Sequence, residues 1–210
     1  MRRSLKLLLG SVLALGLIPA AQALTITITS NDGLEGKYNA TSFECTYNTG
    51  ASSICYVGDE NDQTTIVGIV GGIVAPATEL YKNDFDDGEE SGALARSYTT
   101  IWGGEESGPN SATITYDGGP FVGPIAWLLV KDGNASPNWY LFNLTDMGWN
   151  GTEQIVLENF YLGTGQDTTG GAISNVGLWG GAAEVPAPGT MALMGLGLLG
   201  LGFAARRRLS

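Results

Sequence analysis

Short segments that alternate apolar and polar residues, separated by glycine-rich turns, constrain this fold more than any other feature. Residues 24–30 (LTITITS) and 111–116 (SATITY) alternate with a period of two, as strands with one buried face do. The turn residues Asp117-Gly118-Gly119-Pro120 close the second of these segments. The pattern predicts strands at residues 24–30, 111–116, 125–130, 139–144, 153–158 and 172–179, with 125–130 and 139–144 as neighbours.

Residues 64–75 are apolar and β-branched, but three glycines interrupt them at Gly68, Gly71 and Gly72. Because glycine disfavours helix, we expect one bent strand or two short ones there, and no long capped helix outside the chain ends. The sequence therefore predicts an all-β fold, an antiparallel β-sandwich of jelly-roll-like form. The roughly 160 residues between the chain ends are enough to bury a two-sheet core.

The first residues have the composition of a secretory signal. Arg2, Arg3 and Lys6 precede an apolar run over residues 7–18, and Ala21-Gln22-Ala23 supplies the small-x-small pattern that signal peptidase cuts. We expect a signal helix in residues 1–23, with cleavage after Ala23. The alternative is an anchor that is never cleaved, for which the apolar run is short.

The last residues combine prolines, an apolar stretch and arginines. Val185, Pro186, Ala187 and Pro188 are followed by apolar residues 190–205 and then by Arg206, Arg207 and Arg208. The prolines favour an extended backbone that suits a protease-like groove. The apolar stretch predicts a transmembrane helix in the inner membrane, and the arginines predict a cytoplasmic end. With the signal peptide, this topology places residues 24–184 outside the membrane.

This arrangement resembles the PEP-CTERM sorting domain of Gram-negative bacteria. The resemblance implies recognition and cleavage by an exosortase, a cell-surface or extracellular location after processing, and a link to exopolysaccharide or biofilm. Ala187 stands where the family usually has Glu. A plain tail anchor with a proline-containing linker is the alternative. The predicted organisation is thus a signal peptide in 1–23, a β-sandwich ectodomain in 24–184 and a sorting tail in 185–210.

Charge and cysteine content narrow the classes of function. Residues 24–184 hold all 21 acidic residues and four of the ten basic ones, a net charge of −17, which disfavours nucleic-acid binding. The chain has no histidine, which excludes Ser-His-Asp and Cys-His catalytic units. Cys45 and Cys55 are its two cysteines, and an even pair in an exported chain predicts a disulfide.

An acidic loop is the candidate metal site. Residues 84–90 contain five carboxylates, and Ca²⁺ prefers hard oxygen ligands of this kind. We expect Asp84, Asp86 and Asp87 to be the ligands if calcium binds, with Gly88 allowing a tight turn. The spacing does not match an EF-hand, and a solvated acidic loop is the alternative.

Three functions remain open from the sequence. The first is a non-enzymatic surface or matrix protein sorted by an exosortase. The second is a carbohydrate-binding module for the cell's own exopolysaccharide, which would need some of the five tryptophans exposed as flat sugar platforms. The third is a glycosidase, which needs only two carboxyl groups. We expect the first of these, and we expect most of the tryptophans in the core.

Overall fold

The computed structural model describes residues 23–28, 40–48, 50–105, 108–132, 136–160 and 172–184. The predicted signal helix and sorting helix lie outside these residues. The described chain contains eleven strands and one helix: β1 Leu24–Thr27, β2 Thr41–Tyr47, β3 Ala51–Gly58, α1 Gln63–Val74, β4 Thr78–Asp84, β5 Glu90–Ser91, β6 Tyr98–Glu105, β7 Gly108–Tyr116, β8 Phe121–Asp132, β9 Trp139–Asn143, β10 Ile155–Glu158 and β11 Ile173–Ala183. The prediction of a mostly β fold is confirmed.

Hydrogen bonds join all eleven strands into one sheet in the order β5-β4-β11-β8-β9-β3-β2-β1-β10-β7-β6. Each pairing is antiparallel except that of β1 with β10, which is parallel. The prediction of two separate antiparallel sheets with jelly-roll-like form is therefore corrected to a single curled sheet. Twist and the bulges in β11, at Ile173/Asn175 and at Gly180/Gly181, bend one sheet so that it packs against itself.

The two ends of the sheet meet through side chains of β4 and β6. The Tyr81 hydroxyl lies 2.7 Å from Oγ1 of Thr100, and Nε1 of Trp102 donates to Oδ1 of Asn83 at 3.0 Å. The rings of Phe85 and Trp102 pack edge to face, with centroids 5.8 Å apart. We call these contacts the seam, and they bring the curled sheet close to complete closure.

The inner and outer faces of the sheet carry separate hydrophobic cores. The interior core includes Val57, Val130, Tyr140 and Phe142 among its fully buried side chains. The second core lies between the outer face and α1, where Trp139 and Trp179 pack with residues of the helix. Side chains alternate between the two cores along β9, which explains why Trp139, Tyr140, Leu141 and Phe142 are all buried.

The prediction of a bent strand at residues 64–75 is wrong, because these residues form α1. Asp62 caps the helix, its Oδ1 accepting from the backbone N–H of Thr65 at 2.9 Å. Ile66, Val70 and Val74 recur every four residues and bury one face of the helix against the sheet. This burial outweighs the poor helix propensity of the three glycines.

Among the described residues, no helix has the length and apolar character needed to cross a membrane.

Candidate functional site

A disulfide between Cys45 and Cys55 links β2 to β3, as the sequence predicts. The two Cα atoms are 5.9 Å apart, and both side chains are buried in the interior core. Cys45 lies opposite Ser53 in the hairpin register, and Cys55 lies opposite Phe43. The bond therefore ties two neighbouring strands near the middle of the sheet and suits an oxidising, extracytoplasmic location.

A cavity of about 270 Å³ opens at the start of β8. Phe121 and Pro124 form one wall, Trp149 and Asn150 form another, and Ala183 at the end of β11 completes the lining. The lining is mostly apolar, with the Asn150 amide as its polar side chain. A pocket with these properties suits a small ligand that has an apolar face and one or two hydrogen-bonding groups.

Hydrogen bonds hold the turn beside this cavity in place. Nε1 of Trp149 donates to the carbonyl of Glu153 at 2.7 Å, and Oδ1 of Asn150 accepts from the N–H of Thr152 at 2.9 Å. Gly151 has a φ of +91° and packs so closely on Phe121 that a Cβ would clash. These contacts give the cavity a preformed wall.

Tyr98 supports the same turn from inside the sheet. Its buried hydroxyl donates to the carbonyl of Gly151 at 2.7 Å and accepts from the N–H of Val122 at 2.8 Å. Burial raises the pKa of Tyr98 well above its usual value, so the hydroxyl stays protonated and remains a donor at any physiological pH. Sequence analysis did not single out Tyr98, because its role depends on contacts with residues far away in the chain.

The five tryptophans do not form exposed platforms. Trp139, Trp149 and Trp179 are buried. Trp102 is half-buried and packs against the interior core. Trp127 is half-buried and packs against the second core, between the sheet and α1. The expectation that most tryptophans lie in the core is confirmed.

The acidic loop is mostly exposed to solvent. Asp84 lies at the end of β4, where its Oδ2 is 2.7 Å from Nζ of Lys82, while Asp86 and Asp87 are exposed in the following turn. Gly88 has a φ of +62°, as the predicted tight turn requires. Within the described ranges, no group of three or more Asp, Glu, Cys or His side chains is arranged to hold a metal ion. Calcium binding by Asp84, Asp86 and Asp87 stays a prediction of the sequence.

These features define a β-rich, disulfide-bonded domain whose last strand leads directly into the C-terminal segment. Residues 184–208 of that segment match the model of the PEP-CTERM protein-sorting motif. This confirms the resemblance found in the sequence and indicates an exported, surface-sorted protein that an exosortase processes. The match covers the tail alone. No curated protein and no solved structure matches the chain.

Proposed function

We propose that this is a non-enzymatic surface or matrix protein, from which an exosortase removes the tail and which then associates with exopolysaccharide or biofilm. The observation that carries the proposal is the position of the sorting motif. β11 ends at Ala183, and the motif begins at Glu184. A cut near Val185–Pro188 would therefore release the tail without removing any part of the sheet. The absence of histidine from the sequence, which excludes the commonest nucleophilic catalytic units, supports a non-enzymatic role.

Processing in the native host tests this proposal. We expect the wild-type protein to lose its tail near Val185–Pro188, as seen by intact mass. The double substitution Pro186→Ala and Pro188→Ala should block processing while the chain stays in the membrane, because it removes the preference of proline for an extended backbone. Replacing Arg206, Arg207 and Arg208 with Ala should impair both retention and processing.

Thr190→Ala is the matched control, since it changes a tail residue outside the proline motif and the arginines. It should be processed like the wild type. If the double proline variant also lost its tail at the wild-type rate, the chain would carry a plain membrane anchor and the sorting proposal would be wrong.

A carbohydrate-binding module is the second candidate, and the cavity beside Trp149 favours it. Phe121 and Trp149 contribute aromatic rings to its lining, and Nδ2 of Asn150, which donates one hydrogen to Oε1 of Glu153, keeps a second hydrogen for a sugar hydroxyl. A glycan array that includes the host exopolysaccharide distinguishes the two candidates. Binding that Phe121→Ala abolishes and Ile125→Ala preserves would favour the module, because Ile125 is exposed outside the cavity lining. No binding would leave the first proposal.

A further inference from the structure

Asp59, Asn138 and Asp132 form a row across three neighbouring strands. In the ladders, Gly58 of β3 and Lys131 of β8 both lie opposite Trp139 of β9. One position further along, Nδ2 of Asn138 donates to the carbonyl of Asp59 at 2.7 Å. On its other side, the N–H of Asp132 donates to the carbonyl of Asn138 at 2.7 Å. The three residues therefore occupy adjacent positions at one end of the sheet.

This row faces the interior of the sheet and is buried. Val57, Tyr140 and Val130 lie two residues away on the same three strands, and all belong to the interior core. Asp59 is 7% exposed, Asp132 is 3% exposed and Asn138 is 4% exposed. Two carboxyl groups and an amide group thus occupy neighbouring buried positions at this end of the interior core.

The Asp59 carboxylate has no hydrogen-bond partner among the described residues. Neither of its oxygens is exposed to solvent. The one salt bridge among the described residues joins Lys82 to Asp84, so it does not involve Asp59. Lys131 is next to Asp132 in the chain but lies on the opposite face, where it attracts Asp62. Burying a carboxylate without a partner is costly, and a second carboxyl group nearby adds repulsion.

We propose that Asp59, Asp132 and Asn138 form a calcium site inside the end of the sheet. Carboxylate and amide oxygens are the ligands that Ca²⁺ takes, and water and backbone carbonyls complete its six to eight positions. The ion supplies the positive charge that the described side chains around Asp59 do not. This site is separate from the acidic loop at residues 84–90 and goes beyond the proposed sorting function. Its binding test does not depend on processing.

Thermal unfolding of the full chain in detergent, with EDTA or with calcium, tests the site. Calcium at about 100 times its Kd should raise the Tm by about 5–10 °C, while the same concentration of Mg²⁺ should have a smaller effect. Asp59→Asn should abolish the calcium shift. In EDTA it should itself raise the Tm, because it removes a buried charge without changing the shape of the side chain. Asp132→Asn should also abolish the shift.

The double variant Asp86→Asn and Asp87→Asn is the matched control, because it removes two acidic charges from the exposed loop. It should keep the full calcium shift. Terbium luminescence sensitised by the nearby Tyr140 gives a second measurement if an Asp59 variant folds poorly. No response of the wild type to millimolar calcium or to terbium would overturn the proposal. A shift that persists in Asp59→Asn and disappears in the loop variant would place the ion in the loop and would overturn it as well.

Discussion

Glu79 is a residue whose charge is poorly compensated. It lies on β4 beside Trp179 of β11, and its Oε1 is buried without a hydrogen-bond partner. Burial raises the pKa of the Glu79 carboxyl, and the nearby Lys82 offsets this only in part. The neutral acid therefore fits this position better than the carboxylate does. The stability that this preference contributes is fully present below the unfolded pKa, near 4.5, and is lost as pH rises through the raised folded pKa.

Glu79→Gln should therefore stabilise the protein at neutral pH, because it keeps the shape of the neutral acid and removes the charge. We expect its Tm to exceed that of the wild type at pH 7 and to approach the wild-type value at pH 4. Thermal unfolding at both pH values measures this. Glu158→Gln changes an exposed carboxyl on β10 and should show no such pH-dependent gain. A Glu79→Gln gain of equal size at both pH values would contradict the explanation by charge.

At the scale of elements, α1 shows where local sequence preference and tertiary packing disagree. Gly68, Gly71 and Gly72 lie in its interior, and each faces open space where a Cβ would meet no atom within 4 Å. Their cost to the helix is therefore the conformational freedom that glycine loses on folding. Ile66, Val70 and Val74 supply the burial that holds the helix on the sheet.

Gly68→Ala and Gly72→Ala should each raise the free energy of unfolding, by about 0.5–1 kcal/mol. Urea unfolding followed by tryptophan fluorescence measures the change. Gly151→Ala is the contrasting control and should destabilise the protein, because Gly151 has a φ of +91° and packs against Phe121. If the two helix substitutions lowered stability, the glycines would have a packing role that their open surroundings do not explain.

The sequence predicted those elements whose pattern is local. All six alternating or apolar segments contain strands, and the predicted neighbours are paired as β8 and β9. Strands β2 to β6 were missed because their alternation is weak or because polar and glycine residues interrupt it. The helix was mistaken for strand since its burial depends on Trp139 and Trp179, which are distant in the chain. The row of Asp59, Asn138 and Asp132 was missed for the same reason, because only the strand register places Asp59 and Asp132 on either side of Asn138.

At the scale of the whole molecule, the seam determines how completely the sheet closes. The buried contact between Tyr81 and Thr100 is part of the seam, and Oε1 of Glu90 lies 3.4 Å from the Tyr81 hydroxyl. Burial raises the pKa of Tyr81 well above its usual value, so its hydroxyl stays protonated. The seam is thus built from side-chain contacts, which a single substitution can weaken.

Thr100→Val should lower the free energy of unfolding by about 1–2 kcal/mol, because it removes the hydroxyl partner of a buried tyrosine while keeping its volume. Thr99→Val is the control on the same strand. Its hydroxyl is exposed and bonds to Asp117, so we expect a change below about 0.5 kcal/mol. Urea unfolding compares the two variants. Equal losses would mean that the seam adds nothing beyond an ordinary surface contact.

The parallel pairing of β1 with β10 has a consequence for the timing of folding during export. Leu24 pairs with Ile155, which lies 131 residues later in the chain, while within the described ranges the ladder of β1 with β2 contains the single pair Ile26 and Tyr47. On the predicted secretory route, β1 would therefore emerge from the membrane with few partners until nearly the whole domain has followed it. Such distant pairing makes folding late and slow. On the secretory route that the signal peptide predicts, we therefore expect the chain to cross the membrane before its sheet is complete and to leave β1 exposed to aggregation during that interval.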